Sequence, residues 1–224
     1  MWAGLDWLLP PRCGGCGDRG VRWCPKCQSE VVKISPPICE VCGRSRQSDG
    51  ICPRCAAIPP LYTALRSWAG FSGPLRNAIH RLKYNRDMAL AEVLARPMMD
   101  CLSEAHWQVE LVVPVPISPA RKDERGYNQA ALLARPIALY YGLAYRPDAL
   151  RKRRDTHSQV GLTVEQRWAN VRDAFTAEGK VVTKLPVLLV DDVTTSGATL
   201  NACAHAMIAA GASEVYCLTL ARAL

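Results

Sequence analysis

Two groups of residues in this chain have types and spacings that carry chemistry. The first is Asp191-Asp192, followed after Val193 by the small, hydroxyl-rich run Thr194-Thr195-Ser196-Gly197-Ala198-Thr199. Carboxylates accept hydrogen bonds from sugar hydroxyls. A hydroxyl-rich turn at a helix start presents free backbone N–H groups, which is an anion site. A diol acceptor beside an anion cradle suggests a ribose phosphate. The second group is eight cysteines in four CxxC pairs: Cys13/Cys16, Cys24/Cys27, Cys39/Cys42 and Cys52/Cys55. Each CxxC turn places two thiolates on one ion, and two such turns complete a tetrahedral Cys₄ zinc site. Four protein ligands leave no coordination position open, so the expected role is structural. The simplest pairing is sequential, giving two zinc ions. A cross-braced pairing, first with third and second with fourth, satisfies the same spacing.

Both groups need elements to position them. Val187 to Val190 reads as a buried parallel strand, and an Ala-rich helix follows from about Leu200 to Ala210. Ligands of open α/β sheets bind at the carboxyl ends of such strands. A second buried strand, Leu111 to Pro116, leads into a charged segment, Ser118 to Arg125, which reads as a loop before a helix from about Ala130 to Tyr141. There Arg121, Lys122 and Arg125 could clamp a pyrophosphate, since guanidinium groups suit bidentate contacts. A third unusual stretch is Arg151-Lys152-Arg153-Arg154, continued by a polar run to Gln159. It fits a lid over an anionic substrate, a nucleic-acid contact or a solvated tether. Residues Glu165 to Asp173 read as a short helix. Tyr62 to Phe71 reads as a strand. A helix begins at Gly73-Pro74, and another runs from about Met88 to Ser103 with a kink at Pro97. Val215 to Leu220 is a last strand. Alternating strands and helices imply an α/β domain with a mainly parallel sheet.

Composition sets outer bounds. The chain has 224 residues, half of them apolar, enough for one medium domain plus a small module. Ile58-Pro59-Pro60 marks the boundary, giving a zinc-ribbon module over 1–58 and the α/β domain over 59–224. A cysteine module of about 45 residues with few large apolar side chains needs a staple, and zinc supplies roughly 10–16 kcal/mol in small zinc peptides. Cys101, Cys203 and Cys217 read as buried small hydrophobes. No run is long and apolar enough to span a membrane. The amino-terminal stretch reads as a short amphipathic helix with Trp2, Leu5, Leu8 and Leu9 on one side, not as a secretion signal. Metal-type cysteine spacing without such a signal points to a reducing compartment, the cytoplasm. The net charge of +8 favours anionic partners.

The later segments together resemble the ComF family (ComF/GntX-like). The residues carrying the match are Val-Pro-Val-Pro at 113–116, Arg121, Arg125-Gly126-Tyr127-Asn128-Gln129, Arg154-Asp155-Thr156 with Gln159, Leu162, Arg167, Asn170-Val171, Ala174-Phe175 and the 187–200 stretch. The 187–200 stretch by itself is similar to the phosphoribosyl diphosphate (PRPP) signature of type I phosphoribosyltransferases. The resemblance implies that fold, preceded by a double zinc ribbon. It implies Asp191 and Asp192 at the ribose hydroxyls, with Arg154 joining them as a catalytic group. Thr194, Thr195, Ser196, Gly197, Ala198 and Thr199 would bind PRPP through its 5′-phosphate. Arg121, Lys122 and Arg125 would meet pyrophosphate, Arg151, Lys152 and Arg153 would begin the lid, and Mg²⁺ would bridge diphosphate and ribose oxygens. It also implies a second setting, the handling of single-stranded DNA or of competence-machinery proteins. Thr195 stands where purine transferases of this fold commonly carry Asp, which argues against purine salvage and leaves the acceptor open.

Overall fold

Apolar runs and proline or glycine punctuation set the elements of the chain. The computed structural model describes residues 10–153 and 174–223. The cysteine module contributes α1 (Pro25–Ser29) and α2 (Pro53–Ala57), each opening on a proline just after a cysteine. Then come β1 (Ala64–Gly70), α3 (Gly73–Tyr84), α4 (Leu90–Ala105), β2 (Leu111–Pro114), α5 (Pro119–Arg125) and α6 (Gln129–Tyr141). The remainder is β3 (Ala144–Tyr145), β4 (Leu150–Lys152), β5 (Phe175–Ala177), α7 (Gly179–Val182), β6 (Pro186–Thr194), α8 (Ala198–Ala209) and β7 (Glu214–Arg222). Five strands form one sheet of order β1-β7-β6-β2-β3, and every neighbouring pair is parallel. β4 and β5 make a separate antiparallel pair.

Strand residues alternate between the two faces of a sheet, and both faces are buried here. Leu188, Val190, Leu218 and Leu220 pack with Leu75, Ile79, Leu94, Met98, Leu133 and Ile137, so α3, α4 and α6 cover one face. Val187, Leu189, Val215 and Cys217 pack with Leu200, Cys203 and Met207, so α8 covers the other. The helix that leaves β6 and the helix α6 that follows β2 therefore lie on opposite faces, although β6 and β2 are neighbours. Such a reversal opens a crevice at the carboxyl ends of the two strands, the place where α/β sheets bind ligands.

The cysteine module covers the free edge of β1. Leu65 N donates to Val41 O (2.7 Å), Ile34 N to Trp68 O (3.1 Å) and Gly70 N to Val32 O (2.8 Å). An uncovered edge strand invites pairing with other chains. The first ribbon packs on α3, where Asn77 Nδ2 donates to Gly15 O (3.1 Å) and Arg81 Nη1 to Cys13 O (2.9 Å). The second ribbon sits beside Leu65. Gly43 makes that approach possible: its φ is +65°, and a Cβ there would lie 2.3 Å from Leu65 O.

Most expected elements are present with shifted ends, and the parallel sheet flanked by helices agrees with the expected fold class. Two readings change. The segment expected as a loop at 118–125 is the helix α5, capped by Ser118 Oγ, which accepts from Arg121 N at 3.4 Å. β6 runs on to Thr194, because Thr219 to Arg222 of β7 supply pairing partners for it. Asp191, Asp192 and Thr194 are thus strand residues. The readings for Met1 to Leu9, Arg154 and the rest of the basic stretch's continuation, and Glu165 to Asp173 lie outside the described residues.

Gly43→Ala combines a left-handed backbone with a clash against a backbone oxygen, and should cost more than about 3 kcal/mol. Gly50→Ala meets the same backbone problem (φ +99°) in open space, and should cost about 1–2 kcal/mol. Urea unfolding of both variants checks the difference; equal losses would contradict the docking role of Gly43.

Candidate functional site

The crevice is built around the acidic pair. Asp192 is 3% exposed, and Lys83 Nζ of α3 lies 2.7 Å from its Oδ2. That contact is a close ion pair, and it leaves Asp192 Oδ2 fully covered. Asp191, partly exposed, takes the opposite pleat. Its Oδ1 accepts from Asp192 N at 2.8 Å. Burial of its carboxyl and then the charge of Asp192 push its pKa well above the usual carboxylate range, against a lowering pull from Lys83. The two carboxylates are offered from two sides of one strand end, which separates like charges that the sequence places side by side.

The turn after β6 is short because β6 ends only at Thr194. Thr194 is buried, whereas Thr195, Ser196, Ala198 and Thr199 are exposed. Gly197 occupies the left-handed region (φ 82°) as the cap of α8 and supplies no side chain to the helix start. Ser196 Oγ accepts from Ala198 N at 3.3 Å. Among the described hydrogen bonds, the first-turn N–H groups of Thr199 and Leu200 have no acceptor. Free N–H groups at the start of a three-turn helix favour an anion.

Basic residues approach from both sides. α5 leaves the end of β2, the neighbour of β6, and carries Arg121 and Lys122 exposed. Arg125 turns back instead: it donates to Gln129 Oε1, and its guanidinium lies 5.4 Å from the Tyr84 ring centre. Lys83, Tyr84, Arg86, Glu124 and Arg125 line a small cleft beside this contact. On the other face, Arg151 and Lys152 belong to β4 and Arg153 follows it. Leu150 of β4 packs with Leu189, Leu200 and Cys203, so β4 stands on the α8 face of the sheet, the side to which Asp191 turns. Lys83 was not among the residues singled out from sequence. Nothing in its neighbourhood, one of several basic residues on an amphipathic helix, distinguishes it until the fold brings it to Asp192.

The eight paired cysteines form two clusters, Cys13/Cys16/Cys24/Cys27 and Cys39/Cys42/Cys52/Cys55, with the sulfurs of each within 4.8 Å of one another. The pairing is sequential, and the cross-braced alternative is not adopted. No disulfide is formed. Cys16 to Cys24 and Cys42 to Cys52 are 3.8 Å apart between sulfurs. Four sulfurs at about 2.3 Å from one tetrahedral ion would be separated by about 3.8 Å. Burial pushes the Cys13 and Cys39 thiols up, but N–H donation, from Cys24 to Cys13 (3.4 Å) and Cys52 to Cys39 (3.3 Å) among others, outweighs it and brings both to about 6. Burial raises Cys27 and Cys55, whose protons a metal would have to displace. Closed, four-sulfur donor sets with N–H support fit structural Zn²⁺ in both places. Among the described residues no helix is long and apolar enough to cross a membrane.

The raised pKa of Asp191 has a definite consequence for stability. The folded state holds that proton more tightly than the unfolded chain, so stability is full below the unfolded pKa of about 4 and falls as pH rises through the folded value. Asp191→Asn should therefore raise the melting temperature at neutral pH, and the gain should vanish as pH drops below about 4. Thermal melts across pH check this, and a gap independent of pH would rule it out.

The chain is similar to several known proteins. Residues 4–56 match the double zinc ribbon domain. DNA utilization protein YhgH of Salmonella typhi is 31% identical over 221 residues, spanning 90% of this chain and 97% of that protein. Competence protein F of Haemophilus influenzae is 29% identical, spanning 89% of this chain and 90% of its own length. Among solved structures, the glutamine phosphoribosylpyrophosphate amidotransferase of B. subtilis is similar over 71% of this chain, at 21% identity and a TM-score of 0.39. The chain spans 29% of that enzyme. With 31% identity across nearly the whole of both proteins, this chain belongs to the ComF family, together with the DNA utilization protein YhgH and competence protein F.

Proposed function

We propose that the crevice between β6 and β2 binds PRPP with Mg²⁺, and that the chain transfers phosphoribosyl from it to an acceptor. The observation that carries the reading is the acidic pair at the carboxyl end of β6, with Lys83 beside Asp192, next to helix-start N–H groups that have no acceptor among the described hydrogen bonds. The carboxylates suit a ribose diol and the free N–H groups a 5′-phosphate. Asp191 and Asp192 accept from the 2′- and 3′-hydroxyls. Thr195, Ser196, Gly197, Ala198 and Thr199 surround the phosphate, with Thr194 holding the strand end beneath them. Arg121 and Lys122 receive pyrophosphate from the β2 side, and Arg151, Lys152, Arg153 and Arg154 supply the lid. The carboxylates would hold Mg²⁺ through water, and the ion when bound neutralises charge on the diphosphate oxygens. Transfer needs no covalent nucleophile. The carboxylates stabilise positive charge developing on the sugar, while the basic residues stabilise the departing pyrophosphate.

Titration calorimetry with PRPP and Mg²⁺ tests the site. Asp191→Asn and Asp192→Asn should each weaken binding at least tenfold, about 1.4 kcal/mol. Affinity indifferent to both substitutions would remove the assignment.

A second reading, contact with single-stranded DNA, is favoured by a specific feature of the second ribbon and by the names of the relatives. Arg44, Arg46 and Arg54 line one cleft with Cys52 and Pro53. Arg46 Nε donates to Ser48 O at 3.0 Å, while its Nη1 is buried without an acceptor. Arg44 and Arg54 are exposed beside it, and phosphate oxygens suit such guanidinium forks. Binding of a single-stranded oligonucleotide should weaken with salt, and Arg44→Ala with Arg54→Ala should reduce the slope of log K against log salt by about 0.7 per lost contact. A flat dependence in the wild type would exclude phosphate contacts.

A further inference from the structure

The turn proposed to hold phosphate is tied at its front to the second ribbon and at its back to the segment that leaves that ribbon. At its front, β6 ends at Thr194, whose carbonyl accepts from Ala223 N at 2.9 Å and whose partner across the sheet is Arg222. Arg222 is 3% exposed, and its Nη2 donates to the carbonyl of Cys42, a member of the second cluster. At its back, Asn201 in the first turn of α8 is 6% exposed, and its Oδ1 accepts from Leu61 N at 2.6 Å. Leu61 lies shortly after α2, which carries Cys55 of the same cluster. Between these ties, the hydroxyl of buried Tyr62 closes on the turn: a Cβ added to Gly197 would lie 3.3 Å from it.

The energetics make Arg222 an unusual choice for mere packing. A buried guanidinium has lost its hydration, and its stability depends on the few partners it retains. Its Nε is buried with no hydrogen-bond partner. Burial pushes its pKa down. The Cys42 carbonyl is therefore a main partner, and it stays in place only while the cluster and the tight turn at Gly43 hold it. Among the described hydrogen bonds, the first ribbon's side-chain contacts with the domain run to Asn77 and Arg81 on α3 and not to the turn.

We propose that the second Cys₄ ribbon sets the geometry of the 195–199 turn, with Arg222, Tyr62 and Asn201 as the positioning residues that transmit it. The role of that geometry in binding rests on the PRPP reading above. The ribbon is then part of the ligand site at one remove, and folding around its metal fixes where the N–H groups point.

The test combines calorimetry with PRPP and Mg²⁺, zinc content per chain, and amide hydrogen exchange of residues 194–201, all on the full chain. Arg222→Met and Asn201→Ala should each weaken PRPP binding about tenfold, a loss typical of one charge-assisted or buried hydrogen bond. Both should speed exchange in the turn with zinc content unchanged, and Arg222→Lys should restore most of the affinity. Asn77→Ala, which loosens the first ribbon, should change neither readout. Unchanged affinity and exchange in both Arg222→Met and Asn201→Ala would overturn the inference. If wild-type protein does not bind PRPP, the ligand reading falls and the exchange data alone decide whether the ribbon sets the turn. If Arg222→Met does not fold, Asn201→Ala, which keeps the buried arginine, decides the matter by the same two readouts.

Discussion

A parallel sheet has two edges that must be closed, and here one of them is closed by the cysteine module. β1 exchanges backbone hydrogen bonds with residues 32, 34 and 41, between and within the two ribbons. The module cannot reach that edge unless each ribbon holds its shape, and ribbons this small hold their shape through metal rather than through a core. The cysteines are therefore coupled to the sheet by ordinary strand-edge physics, with Gly43 permitting the close approach. This accounts for two ribbons lying against opposite sides of one edge rather than trailing from the domain as a separate bead.

The carboxyl ends of the strands concentrate charge of both signs. A chain with a net charge of +8 still places two adjacent carboxylates at its centre. The sheet manages their repulsion by the pleat, which sends Asp191 and Asp192 to different faces, and by Lys83 beside Asp192. Arg121 and Lys122 of α5 and Arg151 of β4 are exposed, where they can meet an anion.

Much of this was legible in the sequence because it was written locally. The strands at 111–114 and 187–190, the helices at Gly73, Gln129 and Ala198, and the CxxC pairs all show in residue type and spacing. Three things were misjudged or missed, the first against local signals and the others because their partners lie far along the chain. The 118–125 segment reads as a loop from its charge, yet Ser118 at its cap, Pro119 at its first position and Gly126 at its end make it a helix. β6 extends past the acids only because β7 continues beside it. Lys83, Arg222, Tyr62 and Asn201 become notable only through partners distant along the chain.

By itself the sequence determined the kinds of chemistry present: sulfur sets for metal, carboxylates for a diol, a small hydroxyl-bearing turn for an anion, and the periodicities of an α/β domain. These are properties of neighbouring residues, fixed by side-chain chemistry and by the periods of helix and strand. Only the tertiary structure decided that the cysteines pair sequentially, and that neighbouring strands β6 and β2 send their helices to opposite faces and open a crevice. It alone brought Lys83 to Asp192 and the second ribbon to Arg222. Such pairings depend on which surfaces the folded chain can bury against one another, and that is a property of the whole packing, not of any one segment.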